Sequence, residues 1–122
     1  MAYLSDSILD AALQYIIDNC DALYICSTLP STYAEATSTY ALGSKSSPSL
    51  AAITNGTSGR KTVLSAITDG SVSATGSAGF YALVDTVGTE LLLAQSFTVA
   101  QNVTSGNQFT TDALNIQIPD VA

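Results

Sequence analysis

The sequence predicts a mainly β protein, an antiparallel β-sandwich or jelly-roll-like domain with one N-terminal α-helix. Two observations lead to this fold class. Between residues 60 and 119, four segments alternate apolar and polar side chains, and three turn signals separate them, which is typical of a β-meander. Ahead of them, residues 5–18 repeat apolar side chains at helical spacing. A chain of 122 residues is long enough for one domain with its own core.

The N-terminal helix is predicted over residues 5–18. Ser5 is a favoured N-cap residue, and Leu4 before it can pack on Leu9 as a hydrophobic staple. Two apolar stripes run along the helix, which is more apolar surface than one sheet usually covers, so we expect the helix to contact a neighbour as well as its own core. The first stripe is Leu9, Ala12, Leu13 and Ile16, and the second is Ile8, Ala11, Ala12 and Tyr15.

Residues 22–26 are apolar on both faces, which predicts a central strand. From residue 27 to residue 59 the pattern is lost, and frequent Pro, Gly, Ser and Thr predict an irregular interaction arm. Tyr33 and Tyr40 lie on this arm. Because tyrosine combines contact area with a polar tip, these two side chains either grip another chain or fold back as a lid over the sheet.

The meander is predicted to begin with a strand over residues 62–68, with Val63 and Ile67 on the core face. The pair Asp69-Gly70 then reverses the chain, because Asp-Gly is favoured in two-residue hairpin loops. Residues 71–85 form the returning strand in this prediction and end in a dense apolar run. Further reversals at Gly88 and around residues 105–107 would continue the meander.

The last segment, residues 108–118, changes phase part-way along. We interpret this as a bulge near residues 112–113 that re-aims the strand by one residue. Pro119 lacks a backbone donor and is predicted to end the strand. The tail from Pro119 to Ala122 is expected to contact neighbouring subunits, with Pro119 and Val121 as the candidate contact residues. The predicted core contains Leu9, Leu13, Ile16, Leu23, Ile25, Val63, Ile67, Leu83, Leu91, Leu93, Phe97, Leu114 and Ile116.

Charge excludes two classes of partner. The chain carries three basic and ten acidic residues, a net charge of −7. Nucleic-acid binding needs a patch of Lys and Arg to displace counterions, and an anionic membrane surface has the same requirement, so neither partner is expected. No apolar run approaches the length of a bilayer-spanning helix. The N-terminus lacks the basic region of a signal peptide, so we expect synthesis in a cytoplasm.

The inventory of reactive side chains argues against catalysis. The absence of histidine rules out Ser-His-Asp and Cys-His nucleophiles and any His-ligated zinc. Two cysteines cannot complete a structural zinc site within one chain, and no calcium-loop motif occurs among the scattered carboxylates. We therefore expect no enzymatic activity, no metal and no cofactor.

Seven short strings stand out along the chain, at residues 7–13, 23–27, 32–36, 40–45, 80–85, 103–107 and 116–120. Together they resemble a family of small tailed-bacteriophage virion proteins. The resemblance implies a non-enzymatic β-rich accessory subunit, present in many copies, that decorates or cements the capsid surface, the collar around the neck, or the tail. Its location would be the virion, after synthesis in the host bacterial cytoplasm. The strings are SILDAAL (7–13), LYICS (23–27), TYAEA (32–36), YALGSK (40–45), FYALVD (80–85), VTSGN (103–107) and IQIPD (116–120).

The composition also predicts that copies of the chain assemble with one another. Charged residues make up only 11% of the chain, against about a quarter in ordinary domains, and small side chains suit close packing against identical neighbours. We expect a homotrimer or a larger ring, in contact with other virion proteins. An alternative is a carbohydrate- or receptor-binding β-sandwich module that uses Tyr24, Tyr33, Tyr40 or Tyr81 as a stacking platform, although the chain has no Trp.

The two cysteines are predicted to differ in exposure. Cys20 follows the helix in a polar turn, whereas Cys26 alternates with Leu23 and Ile25 in a strand and is expected to be a buried hydrophobe. Their Cα atoms should lie beyond the roughly 7 Å that a disulfide bridges. If a released particle oxidises either thiol, we expect an inter-chain disulfide, and Cys20 is the better candidate for it.

Overall fold

The computed structural model of the protein describes residues 5–55 and 59–118. It confirms the predicted fold class, because strands account for 52% of the described residues, both sheets are antiparallel, and an α-helix lies near the N-terminus. The predictions for Leu4, Pro119 and Val121 lie outside the described residues. The elements are α1 (Asp6–Asn19), β1 (Ala22–Cys26), a π-helical turn (Glu35–Thr39), β2 (Ala41–Ser46), β3 (Thr54–Asn55), β4 (Arg60–Leu64), β5 (Ile67–Val72), β6 (Gly76–Asp85), β7 (Glu90–Val103), β8 (Gln108–Thr111) and β9 (Leu114–Ile118).

The strands form two sheets that share one core. The larger sheet has six strands in the order β7-β6-β1-β2-β5-β8, and the smaller has three in the order β3-β4-β9. Side chains from both sheets and from α1 meet in the main hydrophobic cluster, as a sandwich requires. This cluster contains Leu13, Leu23, Ile25, Leu42, Leu64, Ile67, Val72, Ala78, Tyr81, Leu83, Val103, Phe109 and Ile116.

Helix α1 begins and ends close to the predicted positions. The Oγ of Ser5 accepts a hydrogen bond from the backbone N–H of Ile8 at 3.4 Å, which confirms the predicted cap. Leu9 and Leu13 are buried against the sheets. The second stripe remains outside, because Ile8 is 56% exposed and Tyr15 is 51% exposed. The fold of one chain therefore leaves this face of the helix uncovered.

Strand β1 is central, as predicted, with β6 on one side and β2 on the other. The irregular arm predicted for residues 27–59 is wrong where β2 lies, since Ala41–Ser46 pairs with both β1 and β5. Strand β2 shows no clear alternation of apolar and polar residues, because its close packing against β5 requires small residues. A Cβ added at Gly43 would collide with the backbone carbonyl oxygen of Ser71 on β5. Small side chains in a Ser-rich passage thus mark close strand contact here and not a loop.

The hairpin turn predicted at Asp69-Gly70 is also wrong, because both residues lie inside β5. Gly70 pairs with Phe109 on β8, and a Cβ at position 70 would overlap the Phe109 ring. The glycine makes room for an aromatic side chain and does not reverse the chain. The real break comes at residues 65–66, where the chain leaves the small sheet and enters the large one.

The burial of side chains on β4 also differs from the prediction. The prediction placed Val63 in the core, but Thr62 and Leu64 are the buried residues of this strand and Val63 is only half-buried. Thr62 is accommodated because its hydroxyl donates to the carbonyl oxygen of Ala51 at 2.6 Å. Ile67 is buried as predicted, since the irregular pair at 65–66 resets the alternation.

The phase change near residues 112–113 is a crossing between sheets and not a bulge within one strand. Before it, β8 pairs with β5 in the large sheet; after it, β9 pairs with β4 in the small sheet. The breaks at 65–66 and 112–113 therefore lie side by side, and both chain segments turn the same corner of the sandwich.

The β6–β7 hairpin turns around Gly88 as predicted, but β7 continues beyond residue 99 to Val103. Ser96 pairs with Phe80 and Gln101 pairs with Ala78, so residues 97–100 stand opposite the single residue Gly79. This wide excursion carries Phe97 inward onto Tyr81, with ring centroids 5.1 Å apart, and leaves Val99 78% exposed.

Candidate interaction site at the open edges of the large sheet

A groove of about 510 Å³ lies between the two edge strands of the large sheet. Strand β7 supplies one wall and β8 supplies the other, with the sheet-crossing residues at one end. The sheet must therefore curl until its edges face each other across the groove. The lining residues are Phe97, Val99, Gln101, Thr110, Thr111, Asp112, Ala113 and Leu114.

The groove exists because β7 and β8 are consecutive in sequence but pair with different strands. A turn connects them, in which the N–H of Asn107 donates to the carbonyl oxygen of Thr104 at 3.1 Å and Gly106 adopts a φ of +89°. Beyond the turn, β7 pairs with β6, and β8 pairs with β5. Within the described residues, each strand thus keeps one edge that no other strand covers.

Strand β7 has few of the charged and proline residues that usually protect an exposed edge. Monomeric proteins guard such edges with Lys, Pro or inward-pointing charges. Glu90 at its start is the only charged residue in the 14-residue strand, and the strand contains no proline. The excursion at residues 97–100 interrupts the edge in its second half, and a bulge at Leu92 interrupts it in the first half. The stretch from Leu93 to Ser96 pairs regularly with β6 and is therefore a surface on which another strand can pair.

The polar lining of the groove includes an unsatisfied group. The Oγ1 of Thr111 is buried and has no hydrogen-bond partner among the described residues. Burial of a hydroxyl without a partner costs free energy. A neighbouring polar group does have a hydrogen-bond partner: the Tyr81 hydroxyl, behind Phe97, donates to Oε1 of Gln95 at 2.8 Å. The groove end of β8 is therefore a weak point of the isolated chain.

The predicted tyrosines do not lie on this groove. Tyr33 is half-buried and packs against a second, outer cluster of small residues on the opposite face of the sheet, so it folds back over the sheet instead of projecting. Tyr40 is half-buried at the start of β2, and its N–H donates to the carbonyl oxygen of Glu35 at 2.9 Å. The outer cluster contains Ala22, Ala36, Ala82 and Val84, with Tyr24, Tyr33, Leu91 and Ala94 packed against it.

Nor do the four tyrosines of the alternative hypothesis form one stacking platform. Tyr24 pairs with Ala82 in the register of β1 and β6, so Tyr81, the next residue, points to the other face of the sheet. Tyr81 is 2% exposed and belongs to the main core. A saccharide cannot stack on a ring buried in this way.

The cysteines are free thiols, and neither is fully exposed. Cys26 is completely buried, as predicted, and its thiol donates to the carbonyl oxygen of Ala36 at 3.6 Å. This position excludes Cys26 from an inter-chain disulfide of the folded protein. Cys20 is half-buried, so the two cysteines differ in exposure as predicted. Burial raises the pKa of both thiols to about 11, which lowers the reactive thiolate fraction.

Carboxylates at the C-terminal end of α1 organise the β6–β7 hairpin. Asp21 accepts hydrogen bonds from the N–H and the hydroxyl of Thr86, at 2.9 and 2.7 Å. These bonds favour the charged form and lower the pKa of Asp21. Asp85 accepts from the N–H groups of Val87 and Gly88 at 3.1 and 2.9 Å. Among the described residues, no group of three or more acidic or cysteine side chains is placed to hold a metal ion.

Sequence reasoning missed the groove because it depends on which strands pair. One local signal was available: residues 91–103 contain no charged side chain, which is unusual for a strand that ends at a sheet edge. Phe109 and Tyr81 were likewise missing from the predicted core, although both are almost fully buried.

The geometry defines an antiparallel β-sandwich protein, and no described strand covers either edge of its large sheet. No protein-family model matches the chain, and neither a search of curated proteins nor a search of solved structures found a significant match. Within residues 5–55 and 59–118, no helix is long and apolar enough to cross a membrane.

Proposed function

We propose that this protein is a non-enzymatic structural subunit of a bacteriophage virion, present in many copies, that decorates or cements the particle at the collar or neck, the capsid surface or the tail. Short strings spread over most of the chain resemble small virion proteins of tailed phages. The low content of charged residues and the many small side chains support the same role, because they permit close packing of repeated copies.

The observation that carries the proposal is the uncharged, regularly paired stretch of the β7 edge from Leu93 to Ser96. A long strand with one charge and no proline is a template for backbone pairing and is an aggregation hazard in a protein that works as a monomer. The hazard disappears when a neighbouring subunit occupies the edge in the assembled particle. We infer that copies of this chain associate through β7 into a homotrimer or a larger ring, which then contacts other virion proteins.

A charge placed on this edge tests the self-assembly. Ser96 is exposed on β7, and Ser96→Lys should weaken self-association by about tenfold or more, because lysine on an edge strand opposes strand pairing. The matched control is Ser71→Lys. Ser71 is also exposed, but β5 pairs on both sides, with Ser44 and Gln108, so no edge is free there. Light scattering after size-exclusion chromatography, over a range of concentrations, measures the association.

Two results would contradict the proposal. A wild-type protein that stays monomeric at every concentration would remove the self-assembly, and equal weakening by both lysine variants would show that β7 is not the interface. The place in the virion is tested separately, by fitting the fold into electron-microscopy density of phage particles that carry this chain. Density that accommodates a single copy, or none, would contradict a many-copy role.

A second candidate function is a carbohydrate- or receptor-binding module, and the groove is the observation that favours it. Phe97 offers an aromatic face beside the amide of Gln101 and the carboxylate of Asp112, and such a combination suits the hydroxyl groups of a sugar. A glycan-binding screen with wild-type protein and Asp112→Asn separates the two functions. Binding that the substitution abolishes would favour the module, whereas self-association without glycan binding would favour the structural subunit.

A further inference from the structure

A second surface of the molecule is apolar and uncovered, on the outward side of α1. Ile8 and Tyr15 are more than half exposed, and Ala11 and Ala12 between them are exposed as well. These four residues follow one another at the spacing of a single helix face. At the neighbouring hairpin tip, Val87 is 90% exposed. We call these five side chains the helix–hairpin surface.

Hydrogen bonds connect the helix to the hairpin. The Tyr15 hydroxyl donates to Oε1 of Glu90, the first residue of β7, at 2.7 Å. Asp21, just after the helix, holds Thr86 of the hairpin through two hydrogen bonds. Asp85 fixes the tip that carries Val87. The surface is therefore held in place before any partner arrives, which lowers the entropic cost of binding.

The surroundings of this surface are strongly negative. The last turn of α1 contains no basic residue, although the C-terminus of a helix carries partial negative charge and normally favours cations. Asp18, Asp21, Asp85 and Glu90 all lie at this end. The charges of Glu90 and Asp85 act directly on Tyr15, and those of Asp21 and Asp85 act on Cys20. The two ion pairs formed within the described residues neutralise other carboxylates, those of Asp69 and Asp10.

We propose that the helix–hairpin surface docks a segment of a different protein, one that presents Lys or Arg side chains beside a row of apolar side chains. A second copy of this chain fits poorly, because it would bring an equal set of carboxylates against these four. A metal ion fits poorly as well, since the carboxylates do not converge on one point within the described residues. Basic groups at the rim and apolar groups at the centre complement both features of the surface.

This inference does not depend on self-assembly through β7, because the helix–hairpin surface and the β7 edge are different surfaces. Ser96→Lys alters the strand edge and leaves the helix face intact. The probe for the new site is a labelled synthetic helical peptide of about 14 residues, the length of α1, with Leu on one face and Lys on the other. Two comparison peptides replace every Lys by Glu or every Leu by Ser. Fluorescence anisotropy with the full chain, at low and at high salt, measures the affinity.

We expect the Leu/Lys peptide to bind, and to bind more weakly at high salt because ionic screening reduces the charge contribution. Val87→Ser and Glu90→Gln should each weaken this binding by about tenfold. Val99→Ser and Asp112→Asn are the matched controls, because they remove an exposed valine and an exposed carboxylate from the groove instead. All four positions are exposed, and thermal unfolding confirms that each variant folds.

The proposal fails if the Leu/Lys peptide does not bind. It also fails if the Ser/Lys peptide binds equally well, which would show non-specific attraction to an acidic protein. Equal loss in the groove variants would place the binding site elsewhere. Retained peptide binding in Ser96→Lys, together with lost self-association, would separate the two interfaces experimentally.

Discussion

At the scale of single residues, the residue type at several positions depends on the atoms that contact it in the folded protein. Gly70 lies inside a strand where its sequence context, Asp-Gly, favours a turn. The ring of Phe109 fills the space that a Cβ would need, so the glycine and the phenylalanine form one packing unit. Phe109 itself is 1% exposed and is among the largest buried side chains.

We therefore predict that Gly70→Ala destabilises the protein by about 1–3 kcal/mol, the usual cost of overpacking a core. Gly79→Ala is the control, because its Cβ would meet only the Cβ of Ala100 at 3.9 Å, an ordinary contact. That variant should be neutral or slightly stabilising. Urea unfolding measures both. Combining Gly70→Ala with Phe109→Leu should recover part of the lost stability, and no recovery would show that the ring is not the obstacle.

The cysteines provide a second prediction at this scale. A pKa of about 11 for Cys20, against 9.0 for an unperturbed thiol, lowers the thiolate fraction at neutral pH by about 100-fold. We expect iodoacetamide to label native Cys20 correspondingly more slowly than the unfolded chain, and native Cys26 to be more protected still. Mass spectrometry of the two labelled peptides measures the rates. Rapid labelling of native Cys26 would contradict its burial.

At the scale of elements, the two sheet crossings shape the candidate site. Each crossing uses a two-residue break, at 65–66 and at 112–113, where the alternation of side chains is reset. The second crossing brings β8 to the groove and leaves the hydroxyl of Thr111 buried, with no hydrogen-bond partner in the described part of the chain. Thr62, near the first crossing, is also buried but donates to the carbonyl oxygen of Ala51.

These two threonines predict opposite responses to the same substitution. Thr111→Val should be neutral or stabilising by up to about 1 kcal/mol, because it removes an unsatisfied buried hydroxyl. Thr62→Val should destabilise by about 1 kcal/mol, because it breaks a hydrogen bond and leaves a carbonyl oxygen unpaired. Thermal and denaturant unfolding of the two variants provide the comparison. If both were equally destabilised, the hydroxyl of Thr111 must have a partner in solution.

At the scale of the whole molecule, charge sets the response to pH. The chain has a net charge of −7 at pH 7. Two of its carboxyls accept hydrogen bonds that stabilise the fold, one between distant elements and one within a local turn. Asp21 joins the end of α1 to the β6–β7 hairpin, and Glu35 accepts from the N–H and hydroxyl of Ser31 at 2.9 and 2.8 Å. Hydrogen bonds to the charged form lower the pKa of both groups.

A carboxyl whose pKa is lower in the folded protein than in the unfolded chain stabilises the fold at pH values above its unfolded pKa. That unfolded pKa is 3.8 for Asp and 4.5 for Glu. That contribution is lost as the pH falls through the native value, so we predict a decline in the free energy of unfolding below about pH 4. Asp21→Asn should make the decline shallower, whereas the exposed Asp112→Asn should not. Chemical denaturation at a series of pH values tests this. An unchanged acid limb in Asp21→Asn would assign the decline to other groups.

Elements with local signals could be predicted from the amino-acid sequence. The cap at Ser5, the apolar repeat of α1 and the two-sided apolar run of β1 depend only on neighbouring residues, and all three appear as predicted. The exposed second stripe of α1 was also readable, because the helix period places Ile8 and Tyr15 away from the core face. The fold class followed from the number and alternation of the strands.

Strand pairing, in contrast, depends on tertiary contacts that the sequence does not show. Alternation is the same whether a strand joins the large sheet or the small one, so the breaks at 65–66 and 112–113 could not be told from a continuous strand or a bulge. Gly43 and Gly70 looked like loop or turn residues, because the backbone and the ring that require them lie far away in sequence. The groove exists because β7 and β8 pair with β6 and β5 instead of with each other, and such a choice depends on contacts between distant segments.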